Sequence, residues 1–320
     1  MATSRKLFLN TSLYSIHVII LFLLVPTLSS FADDSAASVT PEGLQFKPMK
    51  EVSVEREDLY IDNEKVEVTM TFLNTSAKDI SSIVAFPIPD YKFSPPEGIA
   101  EFNDFSVEVD GKVINYQTEV RAFVDGKECT KILKDMKFPI ADLEASRQYF
   151  LNLSEKDRIS LINRGIVDTT YFPDEVRWTV WKKYYWQQTF PANKTITIKH
   201  RYTPYAGSQF FRNETKDIAY LKNTACLDKK YLTIIKKSDP EALGGITWVS
   251  YILKSALNWK QPMKIFHLTV QKYPNDIFST CFNHLFKQTD SNTYELSINN
   301  FVPDSDITVY FIRVPKKGEY

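Results

Sequence analysis

Residues 66–72, which read VEVTMTF, alternate strictly between apolar and polar side chains. Because successive side chains of a strand point to opposite faces, this period of two predicts a half-buried β-strand. Residues 52–60 provide a partner strand, and 83–88 form the continuous apolar run typical of a central strand. Alternation up to Asp110-Gly111, a type I′ hairpin signal, and over residues 195–202 continues the pattern. The sequence therefore predicts a mainly β protein.

The apolar spacing becomes helical between residues 138 and 165. Ser154 opens a capping-box pattern, which places the start of a second helix there. Ile159 and Ile162 form the predicted apolar stripe of that helix, and Gly165 fits the position just past its end. We therefore predict an α-helical hairpin inserted between strands.

The region at residues 204–224 is rich in Pro, Gly, Ser and Asn, which are typical of loops, and it is the predicted linker. Further strands follow it. The predicted architecture has two sandwich-like lobes, an N-terminal β-sandwich at 33–205 that carries the insertion 138–165, and a C-terminal β-rich lobe at 206–320.

The first 32 residues have the pattern of a secretory signal peptide. Arg5 and Lys6 supply the basic start, an apolar stretch runs over 16–25, and small residues precede a cleavage point near Ala32. About ten apolar residues are too few to span a bilayer, which takes about 20. The sequence predicts export to the periplasm or the extracellular space, with no transmembrane segment after cleavage.

The charge balance and the absence of several catalytic motifs argue against some classes of function. The 39 basic and 39 acidic side chains cancel, which gives no electrostatic case for a nucleic-acid partner. Gly-x-Gly, Gly-x-Ser-x-Gly, Cys-x-x-Cys and His-Glu-x-x-His patterns are absent from the sequence. His200 shares an apolar face with Ile198 and Tyr202, which favours a packed core histidine over a metal ligand. We predict no cofactor, no metal site and no catalytic residues.

The three cysteines are Cys129, Cys226 and Cys281. We predict a disulfide between Cys226 and Cys281, because both flank the C-terminal strands and export would place them in an oxidising compartment. Cys129 lies away from these strands, in a segment of different composition. It is either a reactive thiol or a spare buried cysteine, and the second interpretation is the commoner one.

Five aromatic residues lie close together in the sequence, namely Trp178, Trp181, Tyr184, Tyr185 and Trp186. On an extended strand, Trp181 and Tyr185 fall on the face opposite the other three. One face must pack in the core, and the other either packs beneath the helical hairpin or offers flat surfaces to a sugar ring or a protein partner. The candidate binding residues are Trp181, Tyr185, Lys183 and Gln187.

Four segments carry a family resemblance, namely EDLYI at 57–61, VAFPIP at 84–89, YYWQQTFP at 184–191 and HRYTP at 200–204. They resemble a family of exported bacterial proteins known only as a domain of unknown function. The resemblance extends through NWK at 258–260, FHL at 266–268 and Cys281, and so covers essentially all of the mature chain. It implies a bacterial, periplasmic protein, and it brings no established activity or site residues.

A second similarity concerns the N-terminal part. An alternating strand with Asn74, the Phe-Pro-Ile-Pro turn at 86–89, and the segment 105–111 are similar to the vault and inter-alpha-trypsin type of β-sandwich domain. On this resemblance, the helical hairpin is an insertion into one sandwich that spans about residues 45–205.

The leading functional hypothesis is an exported, non-catalytic envelope protein that binds another protein. The first alternative is a glycan-binding module that uses the aromatic strand. The second is a hydrolase of envelope polymers, which requires carboxylates brought together in one cleft with perturbed pKa values.

Overall fold

The computed structural model describes residues 35–40, 43–93, 104–204, 206–239 and 242–314. The predicted signal peptide, 1–32, lies outside the described residues, as does its cleavage point near Ala32. Strands dominate the described part of the chain, which confirms the prediction of a mainly β protein. Across the same described ranges, none of the helices has the length and apolar character needed to cross a membrane.

Strands occur throughout the described part of the chain. In order they are β1 (Ser35–Thr40), β2 (Gly43–Phe46), β3 (Met49–Ile61), β4 (Val66–Asn74), β5 (Ile80–Pro87), β6 (Tyr91–Lys92), β7 (Ser106–Val109), β8 (Lys112–Val113), β9 (Gln117–Val124), β10 (Lys127–Glu128), β11 (Val167–Asp168), β12 (Glu175–Val176), β13 (Thr179–Phe190), β14 (Thr195–Tyr202), β15 (Ala206–Phe211), β16 (Gly244–Tyr251), β17 (Trp259–Lys260), β18 (Met263–Gln271), β19 (Asp276–Thr280), β20 (Lys287–Gln288), β21 (Thr293–Phe301) and β22 (Ile307–Arg313).

The helices fall in two groups. The described helices are α1 (Thr130–Asp135), α2 (Leu143–Leu151), α3 (Glu155–Asn163), α4 (Thr215–Asn223) and α5 (Lys229–Lys236), with a 3₁₀ turn at Lys254–Asn258. The first three lie between β10 and β11, and the other two lie between β15 and β16.

The strands form two large sheets and two smaller ones. One sheet has the order β10-β9-β13-β5-β1-β2, with β6 beside β13. The other large sheet has the order β20-β21-β18-β3-β4-β14-β7-β8, with β17 beside β3. A four-stranded sheet has the order β15-β16-β22-β19, and β11 pairs with β12. We call these the first sheet, the second sheet, the C-terminal sheet and the small hairpin.

The first and second sheets pack face to face around the main core. Phe72 of β4 meets Phe190 of β13 with ring centroids 5.8 Å apart, and Phe105 stacks on Tyr184 at 4.0 Å. The four apolar side chains of residues 66–72 are completely buried, as their alternation predicts. His200 is also completely buried, with its ring 4.8 Å from that of Phe86. The prediction of a core histidine is therefore confirmed.

A tight two-residue turn joins neighbouring strands in each of the two large sheets. Asp110 and Gly111 have φ angles of 48° and 76°, and they join β7 to β8. Asp125 and Gly126 have φ angles of 49° and 75°, and they join β9 to β10. Positive φ at both central residues is the requirement of the type I′ turn, which confirms the hairpin prediction at Asp110-Gly111.

The predicted helical insertion contains α2 and α3. Ser154 caps α3, since its Oγ accepts a hydrogen bond from the N–H of Asp157 at 3.2 Å, and Gly165 follows the helix with φ 66°. The predicted apolar stripe is wrong, because Ile159 and Ile162 are 48% and 36% exposed. The helix instead turns Leu161 to the core, and each residue advances about 100° round a helix, so the two isoleucines point elsewhere.

The prediction of a linker at 204–224 is also wrong, since this region forms β15 and α4. Pro, Gly and Asn are typical of loops, but Gly207 serves packing here, because a Cβ on it would lie 2.2 Å from the Trp248 ring. The helix α4 buries Ile218 and Leu221, three residues apart, against the C-terminal sheet. Tertiary contacts therefore override the local loop signal.

The structure contains the predicted disulfide between Cys226 and Cys281, with Cα atoms 5.2 Å apart. It ties the segment between α4 and α5 to the end of β19. Cys129 is buried and unbridged. A disulfide is compatible with an oxidising compartment.

The second sheet draws strands from both predicted lobes. Its central strand β3 pairs in parallel with β18, from Glu57 opposite Phe266 to Ile61 opposite Val270. On its other edge, β3 pairs antiparallel with β4. The main core accordingly includes buried side chains from both halves of the chain. The division at residues 205 and 206 stays a prediction.

Candidate functional site

The four candidate binding residues lie on the outer face of β13, opposite the main core. Burial alternates along this strand, and Trp178, Tyr184 and Trp186 of the aromatic group are buried. Trp181 and Tyr185 are half-buried on the other face. The three buried aromatic residues are those that the alternation places on one face, and Trp181 and Tyr185 are the two that it places on the other.

Tyr185 and Lys183 are covered by the β1–β2 hairpin. Tyr185 packs on the buried cluster of Ala37, Leu44 and Ala85. The Lys183 Nζ donates a hydrogen bond to the Leu44 carbonyl at 3.1 Å and lies 3.6 Å from the carboxylate of Glu119. Burial lowers the pKa of Lys183. These two residues tie the hairpin to the sheet, so their contacts are structural.

Trp181 lies at the other end of the strand and lines an open cleft. Its ring packs against Phe123 of β9, with centroids 4.0 Å apart. The cleft has a volume of about 470 Å³, and we call it the Trp181 cleft. Its lining residues are Asp90, Lys92, Phe93, Phe123, Asp125, Gly126, Glu175, Val176, Arg177, Thr179 and Trp181.

The walls of the Trp181 cleft are charged and fixed by ion pairs. Arg177 lies 3.2 Å from Asp125, and it donates a second hydrogen bond to the Gly165 carbonyl at 3.1 Å. Arg147 lies over the ring of Phe93 at 4.3 Å and pairs with the buried Asp174 at 2.9 Å. The Arg177–Asp125 pair therefore joins the small hairpin to the turn between β9 and β10.

A second, smaller cleft of about 340 Å³ shares Asp125 and Arg177 with the Trp181 cleft. Cys129 lies on its lining. Burial raises the pKa of the Cys129 thiol to about 11, so the thiol is protonated at neutral pH. Since the thiolate is the reactive form, this arrangement favours the interpretation as a spare buried cysteine.

Gln187 is exposed, six residues along β13 from Trp181. At about 3.3 Å per residue, that separation is roughly 20 Å, so Gln187 does not join the Trp181 cleft. Of the four candidate residues, only Trp181 lines it. Within the described ranges, no group of three or more His, Cys, Asp or Glu side chains is placed to hold a metal ion.

The charged partners of Trp181 were not identified from the sequence. Asp90 and Asp125 lie in two separate connections and Glu175 lies in β12, and only the folded chain brings them to one cleft. The turn Asp125-Gly126 is the one signal in the sequence that marks this edge. Three carboxylates line this one cleft, and the hydrolase alternative stays a prediction.

These features define a mainly β protein with an aromatic-floored, charged cleft at one edge of its first sheet. The chain belongs to the family described as "Domain of unknown function (DUF4424)", whose model matches residues 32–310. This confirms the family resemblance found in the sequence. The similarity to the vault and inter-alpha-trypsin type of sandwich stays a prediction.

Several solved structures are similar to this chain at low identity. A candidate nutrient-binding protein from Legionella pneumophila is 16% identical, with 89% of this chain and 70% of that one covered and a TM-score of 0.45. An M1 zinc metallopeptidase from Deinococcus radiodurans is 8% identical, with 83% and 43% covered and a TM-score of 0.31. Yeast LTA4 hydrolase in complex with bestatin is 11% identical, with 82% and 29% covered and a TM-score of 0.31.

The chain spans less than half the length of those two enzymes. At TM-scores below 0.5, none of these likenesses assigns a ligand or a reaction to it. No curated protein matches the chain significantly by sequence.

Proposed function

We propose that this protein is an exported, non-catalytic binding protein of the bacterial envelope, and that the Trp181 cleft binds a saccharide. The observation that carries the proposal is the half-buried Trp181 ring in an open cleft whose walls hold carboxylates and cations. Sugar rings present one apolar face and many hydroxyl groups. An indole ring offers a flat surface to the apolar face of the sugar, and charged side chains form hydrogen bonds with its hydroxyl groups.

The size and rigidity of the cleft support this proposal. Its volume of about 470 Å³ falls within the ~300–1,000 Å³ that small-molecule sites occupy. The floor is built on two paired strands, since Thr179 pairs with Phe123 and Trp181 with Arg121. A floor built on paired strands loses little backbone conformational entropy when a ligand binds.

The test is calorimetric binding of soluble muropeptides and lipopolysaccharide core oligosaccharides to the mature protein. We expect Trp181→Ala to weaken saccharide binding at least tenfold, because it removes the stacking surface. Gln187→Ala is the matched control, since it alters the same face of β13 outside the cleft. Absence of saccharide binding by the unaltered protein would refute the proposal, as would equal binding by Trp181→Ala.

The same preparation distinguishes binding from hydrolysis. Incubation with a polymeric glycan, followed by mass spectrometry, is expected to leave its chain length unchanged. Shortening of the glycan by the unaltered protein, lost in Asp125→Asn, would show that the protein is a hydrolase and that the non-catalytic proposal is wrong.

A protein-interaction module is the second candidate, and the exposed side chains of α3 favour it. Ile159 and Ile162 are three residues apart, so they lie on one side of this helix, and both are largely exposed. Exposed apolar side chains grouped on one surface are typical of protein contacts. In-cell crosslinking is expected to lose a stoichiometric envelope partner in the variant Ile159→Lys/Ile162→Lys. The same partner in both proteins would exclude α3 as the contact surface.

A further inference from the structure

A larger cleft lies over the C-terminal sheet, far along the chain from the residues of the Trp181 cleft. Its volume is about 730 Å³. The strands β15, β16, β22 and β19 contribute to it, together with the turn between β3 and β4. The opposite face of this sheet is covered by α4 and α5, whose apolar side chains pack on Ile246 and Ile312. We call this cleft the Gly245 cleft.

The floor of the Gly245 cleft is a single row across four paired strands. Phe210 pairs with Gly245, Gly245 with Arg313, and Arg313 with Asp276. These residues share one face of the sheet because paired positions point the same way. A Cβ placed on Gly245 would meet no atom within 4 Å, so the row has an open gap at its centre.

The walls of the Gly245 cleft are apolar and exposed. Phe210 is 68% exposed on the edge strand β15, and Leu243 is 47% exposed just before β16. Tyr273 lines the same cleft near the opposite edge of the sheet, just before β19. Isolated exposed apolar residues are ordinary, but three around one concave surface are typical of a ligand site.

Among the residues that line the Gly245 cleft, carboxylates outnumber cations, and Lys272 acts on Asp276 from outside the lining. Two carboxylates, Asp276 and Glu64, line it with one guanidinium, Arg313. The Asp276 side chain is only 7% exposed, whereas that of its ion-pair partner Arg313, at 3.7 Å, is 69% exposed. Glu64 accepts a hydrogen bond from the Tyr273 hydroxyl. A buried carboxylate with a loosely held partner retains capacity for a further donor.

We propose that the Gly245 cleft binds a small organic cation, a hydrocarbon body that carries one ammonium group. The ammonium group pairs with Asp276, and the body fills the gap above Gly245 against Phe210 and Leu243. Charge complementarity selects the cation, since a carboxylate ligand would meet two like charges in the same cleft. This site does not depend on the saccharide proposal, because it shares no residue with the Trp181 cleft.

The experiment is isothermal titration of the mature protein with three matched eight-carbon ligands, octylammonium, octan-1-ol and octanoate. We expect octylammonium to bind, octan-1-ol to bind at least tenfold more weakly, and octanoate not to bind. Gly245→Val is expected to abolish binding, because its side chain occupies the gap in which a Cβ meets no atom within 4 Å. Asp276→Asn is expected to weaken octylammonium binding about tenfold or more, the usual loss of a charge-assisted bond.

Asp135→Asn is the control, because it removes an exposed carboxylate from α1, outside the Gly245 cleft. Circular dichroism of each variant confirms the fold. Three results would overturn the proposal: no octylammonium binding by the unaltered protein, equal binding by folded Gly245→Val, or equal affinity for octan-1-ol and octylammonium.

Discussion

Gly207 and Gly245 lie on neighbouring strands of the C-terminal sheet and make a matched pair for one stability test. A Cβ at Gly207 would lie 2.2 Å from the Trp248 ring, where ordinary van der Waals contact begins at 3.4 Å. The ring must therefore move by about the difference, 3.4 − 2.2 = 1.2 Å. Trp248 packs against the cluster between this sheet and α4 and α5, so that movement disturbs a packed core.

We expect Gly207→Ala to lower the free energy of unfolding by about 2 kcal/mol, within the ~1–3 kcal/mol typical of overpacking. The added methyl group of Gly245→Ala meets no neighbouring atom. Alanine also restricts the conformations of the unfolded chain, so the free energy of unfolding is expected to stay unchanged or to rise by up to about 1 kcal/mol. Urea unfolding followed by circular dichroism and tryptophan fluorescence measures both. A Gly207→Ala variant within about 0.5 kcal/mol of the unaltered protein would refute the packing argument, as would an equal loss in Gly245→Ala.

Three further predictions concern the cysteines and the N-terminus. Burial raises the pKa of Cys129 to about 11, which lowers the fraction of thiolate. Iodoacetamide is therefore expected not to modify Cys129 at pH 8 until urea unfolds the chain. Rapid alkylation of the folded protein would contradict this prediction. The variant Cys226→Ser/Cys281→Ser opens a loop with a separation of 55 residues and is expected to lose about 4 kcal/mol in urea unfolding, whereas an unchanged midpoint would argue against the disulfide. N-terminal sequencing of the exported protein is expected to begin at Asp33, and an intact Met1 would exclude cleavage near Ala32.

The alternating segments were predictable because their signal is local. The period of two over residues 66–72 specifies a buried face whichever strands lie beside it. Ser154 and Gly165 mark the ends of α3 by backbone chemistry within a few residues. The disulfide followed from the positions of Cys226 and Cys281 beside the C-terminal strands.

The errors concern residues whose role depends on distant partners. Gly207 reads as a loop residue unless the position of Trp248 is known. Ile159 and Ile162 have helical spacing, but spacing alone does not fix which way a short helix rotates against the fold. Tyr185 was grouped with Trp181, and only the β1–β2 hairpin, which covers Tyr185 and not the Trp181 cleft, separates their roles.

The partners of Trp181 lie beyond the reach of local pattern analysis. Asp125 and Arg177 are 52 positions apart in the chain, and their ion pair forms only when β9 and the small hairpin are in place. Asp125 belongs to the turn signal Asp125-Gly126, but that signal does not point to Arg177. Binding sites assembled from several loops have this property in general, because each loop carries only a part of the chemistry.

The parallel pairing of β3 with β18 has a consequence for the order in which the chain folds. Glu57 of β3 pairs with Phe266 of β18, so 266 − 57 = 209 positions separate the partners. At a synthesis rate of about 5–20 residues per second, one edge of β3 stays unpaired for roughly 10–40 s until β18 has been made. An unpaired strand edge is a template for association with other chains. We therefore expect the newly made chain to fold slowly, with this edge open to association until β18 pairs with it.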